Sequence, residues 1–435
     1  VSPPDLVVKG GLVLPEAGRP ALERAAVIVA GGRIRRIVPW AELDPAEAQA
    51  PTLGGADRLV MPGLVNGHTH LAMTLFRGLA DDQPLMDWLE KHIWPAEAAL
   101  VSQEMNYWCS LLALAEMIRS GTTLLADGYF AELGALRAVQ EAGPRAILAQ
   151  GIIDFPAPGV PDPGRNLAVA RDFLEAGRDL PERIRLGLFC HAPYTCGPRT
   201  LRGAKELAGR FGAKCFIHLA ETEAETALIQ ERYGQRPTVY LDQTGFLDRE
   251  TIAVHGVHLD DEEIDLLARR GAALIDCPES NMKLASGRPR VERWLTAGVR
   301  VGLGTDGAAS NNDLNLFGEM GSLARWAKLS LNNPTALPAE MVLDLATRSG
   351  AQALGFDGPG RLEAGAPADL ISLDLNQVNL LPLHRPASHL VYAAQGSEVR
   401  DVVVDGRGLL ENGELKTIDL ARVRAEVARL AKKLA

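Results

Sequence analysis

A chain of 435 residues is too long for one small domain and long enough to bury a large core without disulfides or structural metals. Its 47% hydrophobic and 23% charged residues are the balance of a soluble globular protein. A net charge of −10, with Lys and Arg scattered, sets aside nucleic acid and anionic membranes as main partners and leaves a small molecule as the expected one.

No run reaches the roughly 18 uninterrupted apolar residues of a membrane span. The opening Val1-Ser-Pro-Pro has neither the charged nor the apolar region of a signal peptide. Five cysteines (Cys109, Cys190, Cys196, Cys215 and Cys277) are an odd, widely spaced set, with Cys190 and Cys215 inside apolar runs. These features predict a reduced, cytoplasmic protein.

In chain order, residues 5–60 read as short β segments with Gly turns: Leu6-Val-Val-Lys-Gly-Gly-Leu-Val-Leu, Ala26-Val-Ile-Val-Ala-Gly-Gly and Arg58-Leu-Val-Met-Pro. The same pattern returns in Ala368-Asp-Leu-Ile-Ser-Leu and Val399-Arg-Asp-Val-Val-Val-Asp-Gly. The two ends are therefore expected to pair into one small β-sandwich domain, residues 1–61 and 365–435, the latter closing with a helix.

Between them, over 62–364, β-like runs alternate with helical stretches. The runs are 63–66, 122–127, 146–151, 185–191, 215–219, 252–255, 272–276 and 299–305. Segments such as 103–120, 201–211 and 262–270 carry apolar residues at helical spacing. Eight strand–helix units predict an α/β fold, a (β/α)₈ TIM-type barrel. The rival, a doubly wound open sheet, predicts a Gly-rich dinucleotide turn after the first strand, and none is present.

Catalytic groups of such a barrel lie at the C-terminal ends of its strands. The first strand ends in His68-Thr69-His70, and residues i and i+2 of a strand share a face, so both imidazoles can reach one ion. Alone, a His-x-His is as readily two ordinary loop histidines. Later strand ends bring His191, His218, His255 and, within Gly304-Thr-Asp-Gly, Asp306. Of nine histidines, five fall at predicted strand ends. Imidazoles with one carboxylate suit a catalytic zinc or iron, and such an ion activates water near neutral pH. Other chemistries lack their signatures: there is no His-Glu-x-x-His, no Pro-Cys-x-x-Cys and no Gly-x-Ser-x-Gly.

Pro62-Gly-Leu-Val-Asn-Gly-His-Thr-His, His218-Leu-Ala-Glu221, His255-Gly-Val-His and Gly304-Thr-Asp-Gly resemble the amidohydrolase superfamily, from about Gly10 to Gly406. Some members bridge two metals with a carboxylated lysine at the end of strand four; here Leu188-Phe-Cys-His-Ala-Pro-Tyr contains no lysine. The resemblance therefore implies one divalent metal, zinc or else iron, held by His68, His70, His218 and Asp306. Trp88-Leu-Glu-Lys-His-Ile-Trp-Pro-Ala-Glu97, His191-Ala-Pro-Tyr, Ser280-Asn-Met-Lys-Leu-Ala-Ser-Gly and Asp306-Gly-Ala-Ala-Ser-Asn-Asn-Asp-Leu further resemble 5'-methylthioadenosine/S-adenosylhomocysteine deaminases. That subgroup replaces the 6-amino group of an adenine nucleoside, giving the inosine analogue and ammonia.

Carried over by motif, Glu97 would bind the ribose hydroxyls, and Trp88, His191 and Ser310 would line the substrate pocket. Some family members place an arginine near the end of strand three for the S-adenosylhomocysteine carboxylate. Here Gln150 stands there, which favours the uncharged methylthio substrate, with Arg165 as a possible substitute. The resemblance also implies a homo-oligomer. In the expected mechanism Asp306 is both ligand and base, Glu221 protonates the purine ring nitrogen and also contacts substrate, and His255 orients the water. His258, His92, His384 and His389 are read as structural or ordinary surface residues. Two other functions stay open: a deaminase or dechlorinase of guanine, a pterin or an s-triazine, and a non-catalytic scaffold of the same fold.

Overall fold

The computed structural model describes residues 4–434. The chain begins with strands β1 (Leu6–Val13), β2 (Leu22–Ala30), β3 (Arg33–Pro39) and β4 (Thr52–Pro62). The barrel strands follow: β5 (Leu64–Thr69), β6 (Thr122–Tyr129), β7 (Arg145–Ile152), β8 (Ile184–Cys190), β9 (Lys214–Leu219), β10 (Thr251–His255), β11 (Ala273–Asp276) and β12 (Arg300–Leu303). The chain then returns through β13 (Leu370–Asp374), β14 (Val399–Val404), β15 (Arg407–Glu411) and β16 (Glu414–Leu415).

The two ends form one hydrogen-bonded sheet in the order β16-β15-β14-β13-β4-β1-β2-β3. The pairing of the expected β-sandwich domain is thus continuous: β13 runs antiparallel to β4, with Leu370 opposite Pro62 and Asp374 opposite Arg58. One face buries Val8, Val27, Val29, Val60, Leu370 and Val403. Behind β1 and β2, Trp40 and Leu43 pack on Val7, Ala26 and Ile28. Arg145, at the start of β7, clasps Asp369 with two hydrogen bonds of 2.6 and 3.1 Å, fixing this sheet to the barrel. The closing helix, Leu420–Ala431, lies against the barrel helix Gln103–Arg119 and joins it through Arg429 and Glu104 at 2.5 Å.

Within the barrel all neighbouring strands are parallel, in the order β12 to β5. Side chains alternate with period two: Phe216 and Val254 point inward while Cys215 and Ile217 pack outward on the helices. Phe189 and Phe216 stack in parallel, centroids 6.1 Å apart, and with Ile147, Ile252 and Ile275 they fill the barrel interior.

Between the outermost strands β12 and β5 a side chain supplies the link. Thr305 N–H donates to Asn66 Oδ1 at 3.1 Å, Asn66 Nδ2 donates to Thr305 Oγ1 at 2.8 Å, and Asp306 N–H donates to the His68 carbonyl at 3.0 Å. Asn66 is fully buried, so each of these bonds is worth its full desolvation cost if broken, about 1–3 kcal/mol. The link also sets Asp306 beside His68. A Cβ at Gly304 would stand 2.7 Å from the His68 backbone nitrogen, so glycine is needed for that approach.

Candidate active site

Four donors converge at the C-terminal end of the barrel. His68 Nε2 and His70 Nε2 lie 3.2 and 3.3 Å from Asp306 Oδ1, and His218 Nε2 lies 3.3 Å from His68 Nε2. One ligand atom from each residue falls within 4.8 Å of every other.

The supporting contacts decide what these groups can do. His70 Nδ1 donates to the Gly128 carbonyl at 2.6 Å, which leaves the Nε2 lone pair facing the cluster. Gly128 leaves room for Phe189, since a Cβ there would meet that ring at 2.1 Å. Phe189 is the floor of the site, stacked 5.6 Å beneath His68 and edge-on to His218 at 4.8 Å. Asp306 Oδ2 accepts from Ser310 Oγ at 2.6 Å and Ser280 Oγ at 2.8 Å, so Oδ1 is turned to the histidines.

Electrostatics favour the same arrangement. Burial pushes the His68 imidazolium pKa down to about 4, and burial with the neighbouring histidines holds His218 well below its ordinary value. Burial alone would raise Asp306. The hydrogen bond from His68 and the fields of His70, His68 and His255 outweigh it and hold the carboxyl well below the usual range. Burial that disfavours the charged forms of His68 and His218, beside an ionised carboxylate, leaves a donor set for a divalent zinc or iron, so these residues fit the ion that the sequence implies.

At or just past barrel strand ends, Ala220 (φ 49), His255 (φ 74) and Asp306 (φ 61) carry left-handed backbone. Such conformations cost roughly 1–3 kcal/mol in non-glycine residues and cluster where side chains must be aimed. Ala220 is part of the turn that presents Glu221. That turn is held by Glu225, whose carboxylate accepts from the Ala220 and Glu221 N–H groups at 2.9 and 3.0 Å. Glu221 is buried, which raises its pKa against the lowering field of His255, and its Oε2 lies 3.9 Å from His255 Nε2.

The cluster opens into a cavity. His70, His191, His218, His255, Glu221 and Asp306 line one side. The other side is Trp88, Trp94, Phe130, Phe155 and Pro156, with Glu97 between them. His191, its ring 5.2 Å from that of His218, bonds Thr195 Oγ1 through Nδ1 at 2.9 Å, and burial lowers its pKa to about 3. Tyr129 Oη donates to Glu97 Oε1 at 2.6 Å.

Of the residues singled out in the sequence, the structure thus brings together His68, His70, Trp88, Glu97, His191, His218, Glu221, His255, Asp306 and Ser310. Arg165 is not among the residues lining the cavity: it sits exposed at the end of a short turn, Pro163–Arg165. Gln150 also lies outside it, its Nε2 bonded to the Gly151 carbonyl. His258 bonds the Ser286 carbonyl through Nε2 at 2.7 Å, and His389 bonds the carbonyls of Arg385 and Pro382. All five cysteines are buried free thiols. Among the described residues no helix is long and apolar enough to cross a membrane.

Sequence reasoning passed over Tyr129, Ser280, Asn281, Asp276 and Glu225. Tyr129 and Asp276 end strands β6 and β11, so the strand-end rule that found the histidines could have found them. Ser280 and Asn281 stand within a quoted motif but carried no role. Glu225 has no signal beyond an acid near a helix start.

Three imidazoles and a carboxylate at the C-terminal mouth of a parallel barrel make this chain a metal-dependent hydrolase. It belongs to the amidohydrolase family, whose sequence profile matches residues 59–409. Among its relatives, it is 44% identical over 432 residues to a 5-methylthioadenosine/S-adenosylhomocysteine deaminase of Syntrophobacter fumaroxidans, covering 98% of each chain. It is 43% identical to a 5'-deoxyadenosine deaminase of Methanosarcina mazei, covering 99% of this chain and 98% of the relative. A crystal structure of an adenosine deaminase from Xanthomonas campestris with bound zinc superposes with a TM-score of 0.94, at 39% identity and 99% coverage of both chains.

Proposed function

We propose that this protein hydrolyses the 6-amino group of an adenine nucleoside, with 5'-methylthioadenosine as the preferred substrate, releasing the inosine analogue and ammonia. The observation that carries the reading is one cavity that joins the His/His/His/Asp cluster to a buried carboxylate, Glu97, across an apolar wall. The names of the relatives agree with it.

His68, His70, His218 and Asp306 would hold the divalent ion, probed first as zinc, which supplies a water acidic enough to attack at neutral pH. The Asp306 carboxylate takes the proton of the attacking water. The two serine hydroxyls on Oδ2 keep its other oxygen aimed at the centre. Glu221, whose buried carboxyl keeps its proton more readily than an exposed one, delivers it to the purine ring nitrogen beside the reacting carbon. His255 Nε2, facing Glu221, orients the water by accepting a hydrogen bond from it. Glu97 accepts from the ribose hydroxyls through the oxygen that Tyr129 leaves free.

The 5' preference follows from charge. No Lys or Arg lines the cavity among the described residues, so nothing there matches the carboxylate of an amino-acid substituent. Burying such a group unpaired is costly, whereas a methylthio group suits Trp94, Phe130 and Phe155. The test is the ultraviolet spectrum of 5'-methylthioadenosine during incubation with zinc-loaded protein, with ammonia measured alongside. Conversion to the inosine chromophore is expected. An unchanged spectrum with metal bound sinks the nucleoside reading, and free purines, pterins and triazines would then be screened.

A further inference from the structure

His255 is tied to two residues that have no place in the chemistry above. Its Nδ1 lies 3.0 Å from Asn281 Oδ1, and Asn281 Nδ2 lies 2.9 Å from Asp276 Oδ1. All three are buried, Asn281 and Asp276 completely. Both polar atoms of the Asn281 side chain are spent on one line from strand end β10 to strand end β11, and neither goes to the backbone.

That line has a direction. A carboxylate oxygen only accepts, so the atom of Asn281 that faces Asp276 Oδ1 must be the amide nitrogen. The amide oxygen is then turned to His255, and an oxygen acceptor there requires a proton on Nδ1. Asp276 Oδ2 has no partner among the described residues. While Oδ1 accepts, in the carboxylate or with a proton taken up on Oδ2, that direction stands.

We propose that Asn281 and Asp276 are positioning residues that fix His255 as the Nδ1–H tautomer, keeping its Nε2 lone pair turned to Glu221 and the reacting water. In the other tautomer two lone pairs would face each other at 3.0 Å and the Nε2 hydrogen would point at the site. The left-handed backbone of His255 is consistent with a ring whose orientation is held from outside the strand. A plain packing role for Asn281 would not require both of its polar atoms to be paired in this order.

The inference rests on the deaminase reading only for the substrate used in kinetics; the tautomer is read without substrate. In zinc-loaded protein carrying ¹⁵N-labelled histidine, the His255 ring, assigned by its loss in His255→Gln, should show Nδ1 protonated and Nε2 bare at alkaline pH. The reverse pattern overturns the proposal without any change to the relay. In the relay itself, Asn281→Asp sets two carboxyl groups against each other, and kcat for 5'-methylthioadenosine should fall about 10–100-fold, as for the outer partners of other active-site histidines. KM should stay within about threefold, since substrate contacts are untouched. Adding Asp276→Asn restores a donor facing an acceptor, with the new carboxylate at 281 accepting from both neighbours, and should recover most of the lost kcat. A double variant that folds, binds zinc and is no better than Asn281→Asp alone overturns the proposal. A loss confined to KM does the same.

Discussion

The two sides of the cavity are built by different means. On the metal side several polar groups are aimed by named partners: His70 by the Gly128 carbonyl, Asp306 by Ser280 and Ser310, and the Glu221 turn by Glu225. These groups stand on barrel strands or within a few residues of their ends. The opposite side comes from the segment 85–100, Phe130 and the loop at 153–158, with Trp94 edge-on to Phe155 at 5.1 Å. The contrast separates reactivity from selectivity. A rigid scaffold fixes the reacting groups, while short helices and a loop, free to vary without disturbing the barrel, shape the part that chooses the 5' group.

Removing the ion should break the metal side outright. Without it, the attacking water returns from a pKa near about 7 to its bulk value of about 15.7, so prolonged chelation should leave only background turnover and zinc should restore it. Inductively coupled plasma analysis beside the ammonia assay checks this. Full activity in metal-free protein would refute the assignment of the four ligands. Glu221→Gln should be the next largest effect. It keeps the shape of the side chain but removes its acid, so kcat should fall on the order of 10²–10⁴-fold while zinc content stays unchanged. An unaltered kcat would move the proton donor elsewhere.

The barrel is legible in the sequence because its signal is local and repeated. Each expected run overlaps its observed strand, β10 beginning one residue before the run at 252, since buried parallel strands read as short apolar runs between helices. Histidines at strand ends stand out because few other places in the chain carry them. What stays hidden is relational. Asn66 joining β12 to β5, Asn281 bridging two strand ends and Glu225 holding a turn are single polar residues whose partners lie far off in sequence or around a loop. No periodicity marks them. Arg165 shows the opposite failure: a charge of the right kind in a nearby loop, placed by the fold outside the cavity.

Glu97 sharpens the comparison most, because it sets a carboxyl group among the aromatic rings of the apolar side. Burial raises its carboxyl from 4.5 to about 7, against the lowering effect of the Tyr129 hydrogen bond. Between those values the folded chain holds a proton that the unfolded chain has released. Stability therefore falls as pH rises through that window, by roughly 3 kcal/mol at most, and this loss should be absent in Glu97→Gln. Binding runs the other way. Only the ionised carboxylate gives the ribose a charge-assisted bond, so KM for 5'-methylthioadenosine should rise as pH drops below about 7, with kcat little changed by this group. Glu97→Ala should raise KM by about 10–150-fold, the equivalent of about 1.5–3 kcal/mol for a hydrogen bond to a charged group. Turnover of free adenine, which has no diol, should be nearly indifferent. Parallel KM profiles against pH for nucleoside and base decide the matter. If both rise together at low pH, the carboxylate is serving the ring or the fold, and its place as the ribose contact is lost.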